Sequence, residues 1–156
     1  MRAMRPALIL LGCLALASCD AAFHMVPVGW QPVKPHIYAR DIGDLHIQTA
    51  ALGGLEGEWW VDADFVVSGV QQHLVPRSVT LVTPRGRFAG TLRSGSRYFP
   101  ADATSSRGTV LIAADWHFNR DAALPDILAG TVSVEVLFSY GGKARSFTVR
   151  YEREKV

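Results

Sequence analysis

The sequence predicts an all-β domain: an antiparallel β-sandwich of about seven or eight strands, with a small β-barrel as the alternative. Three observations carry that reading. Apolar and polar residues alternate with a period of two in several stretches, and turn signals recur roughly every ten residues. The chain has 156 residues, 49% of them hydrophobic and 19% charged, which suits one core and leaves no room for a second domain of ordinary size. The same composition excludes collagen-like, coiled-coil and polytopic membrane chains, and it is not that of a disordered one.

The first element is a leader. Met1-Arg2-Ala3-Met4-Arg5 is a short basic start, and after Pro6 the run Ala7 to Ala17 is apolar. Those eleven residues would rise about 16 Å as a helix against roughly 30 Å of bilayer core, so they predict a signal-peptide core and not a membrane span. The run ends in Leu16-Ala17-Ser18-Cys19, which resembles the lipobox of bacterial lipoproteins at all four positions. A second string, Leu10-Leu11-Gly12-Cys13, fits less well and would truncate the apolar run. The resemblance implies cleavage between Ser18 and Cys19 and a diacylglycerol thioether on Cys19. Residues 1–18 are then signal peptide, and the mature protein is anchored to a membrane by its N-terminal lipid and faces the periplasm. Asp20 resembles the inner-membrane retention signal of enteric bacteria, a rule other lineages ignore, and the choice of membrane stays open.

Processing simplifies the chemistry. With Cys13 removed and Cys19 lipidated, the mature domain has no thiol, hence no disulfide, thiolate metal site or cysteine nucleophile. Loss of Arg2 and Arg5 leaves fourteen basic against fourteen acidic side chains, so a nucleic-acid partner has no electrostatic support. Charge is still uneven along the chain: Asp41 to Asp64 holds six acids and no Lys or Arg, and Phe65 to Ala101 holds five arginines and no acid. Pairing of these charges across neighbouring strands is the expectation; a basic face toward anionic lipid or polymer is the alternative.

Residues 19–35 read as the lipidated N-terminus and a tether, with the sandwich occupying 36–156. Pro27, Pro32 and Pro35 disfavour helix from Asp20 onward. A fully extended stretch of that length would reach some 50 Å. Phe23, Met25, Val26, Val28 and Trp30 are apolar for a free linker, so part of it is expected to dock as an edge strand or lie at the membrane interface.

Strands follow. From Glu58 to Val67 the residues Trp59, Val61, Ala63, Phe65 and Val67 point one way and Glu58, Trp60, Asp62, Asp64 and Val66 the other. Val79 to Thr83 and Arg87 to Leu92 flank the turn signal Pro84-Arg85-Gly86, which leaves the register open by one residue. Val110, Ile112, Ala114, Trp116 and Phe118 form another core face, with Asp115 and His117 opposite, and Ala122 to Leu128 suits a single helical turn. Thr131 to Tyr140 and Lys143 to Glu152 flank Gly141-Gly142, a two-residue loop suited to a primed turn. Pairing Tyr140 with Lys143 puts Val136 opposite Phe147, Val134 opposite Val149 and Val132 opposite Tyr151, and Glu135 opposite Thr148 on the other face.

The segment from Ser78 through Val149 resembles the immunoglobulin-like domains of bacterial envelope lipoproteins. The likeness lies in a strand pair, the Tyr98-Phe99-Pro100 loop, the aromatic strand Trp116-His117-Phe118, and Leu124-Pro125 leading into a last hairpin. It implies a binding or scaffolding module. Ser94-Gly95-Ser96-Arg97-Tyr98 is similar to the Ser-Gly-x-x-Tyr loop of membrane-bound inhibitors of c-type lysozyme, with Arg107-Gly108 near that family's Lys-Gly element. That likeness implies Ser94, Arg97 and Tyr98 as an inhibitor loop, although the mature chain lacks that family's cysteines and continues for about fifty residues more. Gly57-Glu58-Trp59 is similar to the Gly-x-Trp start of lipocalins, but too little chain follows for their eight strands.

No enzyme is expected. The chain has no Gly-x-Ser-x-Gly elbow, no His-Glu-x-x-His and no phosphate-binding glycine loop. Asp62 and Asp64 share a strand face and could form a carboxylate pair. Ser94, Asp115 and His117 are the residue types of a triad, with nothing in their spacing to unite them. The five histidines lack ligand spacing; His24 beside Met25, with His36 nearby, is the copper-capable group. No metal or other cofactor is expected. The candidate partner surface is Trp60 with Asp62 and Asp64, a large aromatic on a polar strand face, and the expected partner is an envelope protein.

Overall fold

The computed structural model describes residues 23–93, 98–100, 108–121, 128–129 and 132–154, with 98–100 described in backbone only. Ser18, Cys19, Ser94 and Arg97 lie outside these residues, as do most of those expected to form the helical turn at 122–128. The described residues form twelve strands: β1 (Phe23–Pro27), β2 (Gln31–Lys34), β3 (Ile37–Ile42), β4 (Leu45–Glu56), β5 (Glu58–Val70), β6 (Leu74–Thr83), β7 (Gly86–Ala89), β8 (Thr91–Leu92), β9 (Tyr98–Pro100), β10 (Gly108–Phe118), β11 (Val132–Tyr140) and β12 (Lys143–Arg153).

All join one antiparallel sheet, nine of them in the order β7-β6-β11-β12-β1-β4-β5-β10-β8, with β3 joined to β4, β2 to β3 and β9 to β10. The chain is therefore all-β, and its single, nearly closed sheet follows the barrel alternative. β7 pairs with β6 and β8 pairs with β10, so one stretch of chain passes from one free edge to the other. Counted as one stave, it brings the barrel to eight. The seam lies at Gly90, whose N–H donates to the Val79 carbonyl at 2.7 Å. A Cβ there would meet Trp116 Cε2 at 2.7 Å, so only glycine lets the indole lie across the joint. Trp116 Nε1–H donates to the Phe88 carbonyl at 2.8 Å, fixing the ring where it seals the seam.

The alternation read from the sequence sets which side chains face inward. Val61, Ala63, Phe65 and Val67 of β5 and Val110, Ile112, Ala114 and Trp116 of β10 are buried, with Trp59 and Phe118 half-buried at the ends. β11 and β12 pair in the expected register, Tyr140 with Lys143 through Val132 with Tyr151. Both turn glycines have positive φ, +59° at Gly141 and +81° at Gly142, as a primed two-residue turn requires. The open register at Pro84 resolves to Thr83 opposite Gly86, and the Thr83 hydroxyl accepts the Arg85 N–H at 3.0 Å. Val134, Val136 and Val149 are fully enclosed, and each such side chain contributes about 1.5–3 kcal/mol. Eight staves enclose a space that side chains can fill, and the buried apolar residues of the described strands form one cluster there. The Tyr151 hydroxyl bonds Thr49 Oγ1 at 2.7 Å in that interior, and burial pushes the phenol well above its usual range.

From Phe23 onward, the stretch read as a tether is built into the sheet. β1 lies between β12 and β4, not at an edge, with Phe23, Met25 and Pro27 turned inward and Trp30 buried just beyond. β2 and β3 then form an outer hairpin on β4, turning at Pro35-His36 with His36 at φ +63°. Its ring stacks on His24, centroids 3.7 Å apart and planes within 9°.

Candidate functional site

Strand alternation and register assemble one polar site on the outer wall. On β5 the residues Glu58, Trp60, Asp62 and Asp64 project outward; on β10 Asp115 and His117 do. The β5–β10 register places Trp60 opposite His117 and Asp62 opposite Asp115. On the other side β4 offers Gly54 opposite Trp60. Glu56, Glu58, Trp60, Asp62, Arg93, Asp115 and His117 line an open groove of about 400 Å³.

Trp60 is held by an absence of side chain. A Cβ on Gly54 would stand 3.0 Å from Trp60 Cζ2, so glycine lets the indole lie on the β4 backbone. Gly53 does the same inward, where a Cβ would come within 2.5 Å of Phe23 Cζ. Two consecutive glycines thus receive an aromatic ring on each face of the sheet. The outer ring remains half-buried, with its surroundings charged.

His117 sits between two carboxylates. Its Nε2 is 2.6 Å from Asp115 Oδ2 and its Nδ1 3.2 Å from Glu58 Oε2. Only the imidazolium can donate from both nitrogens, so the Asp115 hydrogen bond, with Glu58 assisting, raises the histidine above its ordinary value. In this state neither ring nitrogen is free to accept a proton. Among the described residues the groove lining carries no hydroxyl or thiol.

Arg93 closes the opposite wall. Its backbone N–H donates to the Ala113 carbonyl at 2.9 Å, pinning the chain beside β10. The guanidinium pairs with Asp64 and stands 3.9 Å from Asp62. Burial raises the Asp62 carboxyl above its usual range; Arg93 opposes this, while Asp115 across the strand and Asp64 beside it add to it. Asp64 is raised for the same first reason, with Arg93 again opposing. Five carboxylates (Glu56, Glu58, Asp62, Asp64 and Asp115) thus face one arginine and one shared histidine. Such a surface favours a cation, and an exposed indole face adds to that preference.

The structure gathers Trp60, Asp62 and Asp64 as the sequence grouped them, and adds Glu56, Arg93, Asp115 and His117. Arg93 supplies the expected pairing between the acidic and basic stretches, whereas Arg87 goes instead to Glu135 on β11, at 2.7 Å. Of the triad types, Asp115 and His117 touch and Ser94 lies outside the described residues. Tyr98 is in β9, opposite Val110. Gly53-Gly54 inside a strand was the sequence signal for the ring seat; nothing marked Arg93. His24 and His36 meet as stacked planes, so their in-plane lone pairs do not converge, and His36 Nδ1 faces Glu154 at 3.6 Å. Among the described residues no group of three or more His, Cys, Asp or Glu is placed to hold a metal.

Fold and groove together define a barrel packed solid within and charged on one outer wall. No family model, curated protein or solved structure matches the chain.

Proposed function

We propose that this protein is a lipid-anchored, periplasm-facing module of the bacterial cell envelope that binds a protein partner without catalysing a reaction. Lipidation at Cys19 follows from the resemblance of Leu16-Ala17-Ser18-Cys19 to a lipobox. The observation that carries the binding role is the Trp60 groove: a half-buried indole seated on glycine, rimmed by carboxylates, on the outside of a barrel whose described inward side chains form a buried apolar core. The partner chemistry that suits it is a Lys or Arg side chain flanked by apolar contact, which meets the indole face and the acids together.

Affinity capture from envelope membranes after crosslinking tests the reading, with parent protein and Trp60→Ala compared and lysozyme activity measured alongside. The expected result is a partner held by the parent and lost from Trp60→Ala, with lysozyme unaffected. Identical captures would remove the groove from the account. Potent lysozyme inhibition that Tyr98→Ala abolishes would establish the inhibitor loop in its place.

A further inference from the structure

We infer that the barrel rests directly on the bilayer, with the end that carries the β4–β5 and β6–β7 turns facing lipid. The inference rests on the Cys19 anchor proposed above. β1 begins at Phe23, locked between β12 and β4, so only Asp20, Ala21 and Ala22 separate it from the acylated residue. Four residue steps span at most about 14 Å, which is less than the width of a barrel and far from the 50 Å of a free tether.

Which end faces lipid follows from the pairing. Every neighbouring pair is antiparallel, so the start of β1 lies at the same end as the Gly57 turn, the Pro84-Arg85 turn and the last residues of β12. The Gly141-Gly142 turn lies at the other end. Nine residues of β11 at about 3.3 Å each, tilted as barrel strands are, put more than about 20 Å between the two ends.

The side chains at the anchored end suit an interface. Trp59 pairs across strands with Phe118, and Phe88 meets Phe118 edge-on at 5.2 Å, all three half-buried. Aromatic rings with one side packed and one side open are the residues that settle at headgroup level. Arg85 is exposed at the same end and can reach lipid phosphates, whereas Arg87 next to it is paired with Glu135. Glu56 and Glu58 of the groove also stand here, so the Trp60 site opens beside the membrane and addresses a partner held at its surface.

The test uses the full-length lipidated protein, purified from membranes and reconstituted into phosphatidylcholine–phosphatidylglycerol vesicles. Arg85→Cys and Lys143→Cys each place one fluorophore on an exposed residue, at opposite ends of the barrel. Headgroup-nitroxide lipid should quench the label at 85 several-fold more than the label at 143. Equal quenching, or stronger quenching at 143, overturns the orientation while the anchor stands. Failure of the protein to float with vesicles, together with no fatty-acid label on Cys19, overturns the anchor and the orientation with it.

Discussion

His117 ties Glu58 of β5 to its own strand-mate Asp115, and its proton is what makes both contacts possible. Because its folded value is raised, the stabilisation is complete below the ordinary histidine value of 6.5 and is lost as pH rises through the folded value. The groups are exposed, so the amount is modest, about 0.2–1 kcal/mol. Against His117→Gln, the parent should therefore be more stable in denaturant melts at pH 5.5 and indistinguishable by pH 9. A gap that widens with pH would show that the imidazolium is not what holds the two carboxylates. The raised carboxyls of Asp62 and Asp64 have the opposite sense: there burial works against the charged form, a cost that binding sites often carry. None of these pairings was legible residue by residue. Asp62 and Asp115 could each be assigned to a polar strand face, but their confrontation depends on β5 meeting β10 across some fifty residues of chain.

Strands differ in how much of their pairing the local sequence determines. β11 and β12 were readable in full because a glycine pair fixed the turn while alternation fixed the faces, and only one register satisfies both. Val134→Asp should therefore strand a carboxylate in the core and cost more than about 3 kcal/mol, whereas Ser133→Asp, on the outer face, should stay within about 0.5 kcal/mol. Similar urea midpoints for the two variants would contradict the register. β1 shows the opposite case. Phe23, Met25 and Pro27 alternate, yet five residues that end in proline carry a weak local signal, and both partners of the strand are distant in sequence. Gly53, which leaves space for the Phe23 ring, was the clue that a neighbour approaches closely there. The stretch from Arg87 to Leu92 was legible as extended chain but not as a seam, because its switch from β6 to β10 at Gly90 is a property of the closed sheet.

At the scale of the molecule, closure explains where function can sit. Among the described residues the barrel's inward side chains form one buried apolar cluster, and the polar groove lies on its wall, where the proposed recognition takes place. The wall presents Trp60 among carboxylates, and the proposed anchor at Cys19, four residues before Phe23, would hold that wall close to lipid. The all-β class and the inward faces were legible from periodicity. Sandwich and barrel were not separable, since the same alternating strands build either and only the order around the sheet decides. The most direct measurement places a photoreactive amino acid at position 60 in the lipidated protein in living cells, with position 148 on the outer face of β12 as the comparison. A discrete crosslinked product from position 60 and none from 148 is the result this account predicts. No product from 60, or the same product from both positions, would contradict it.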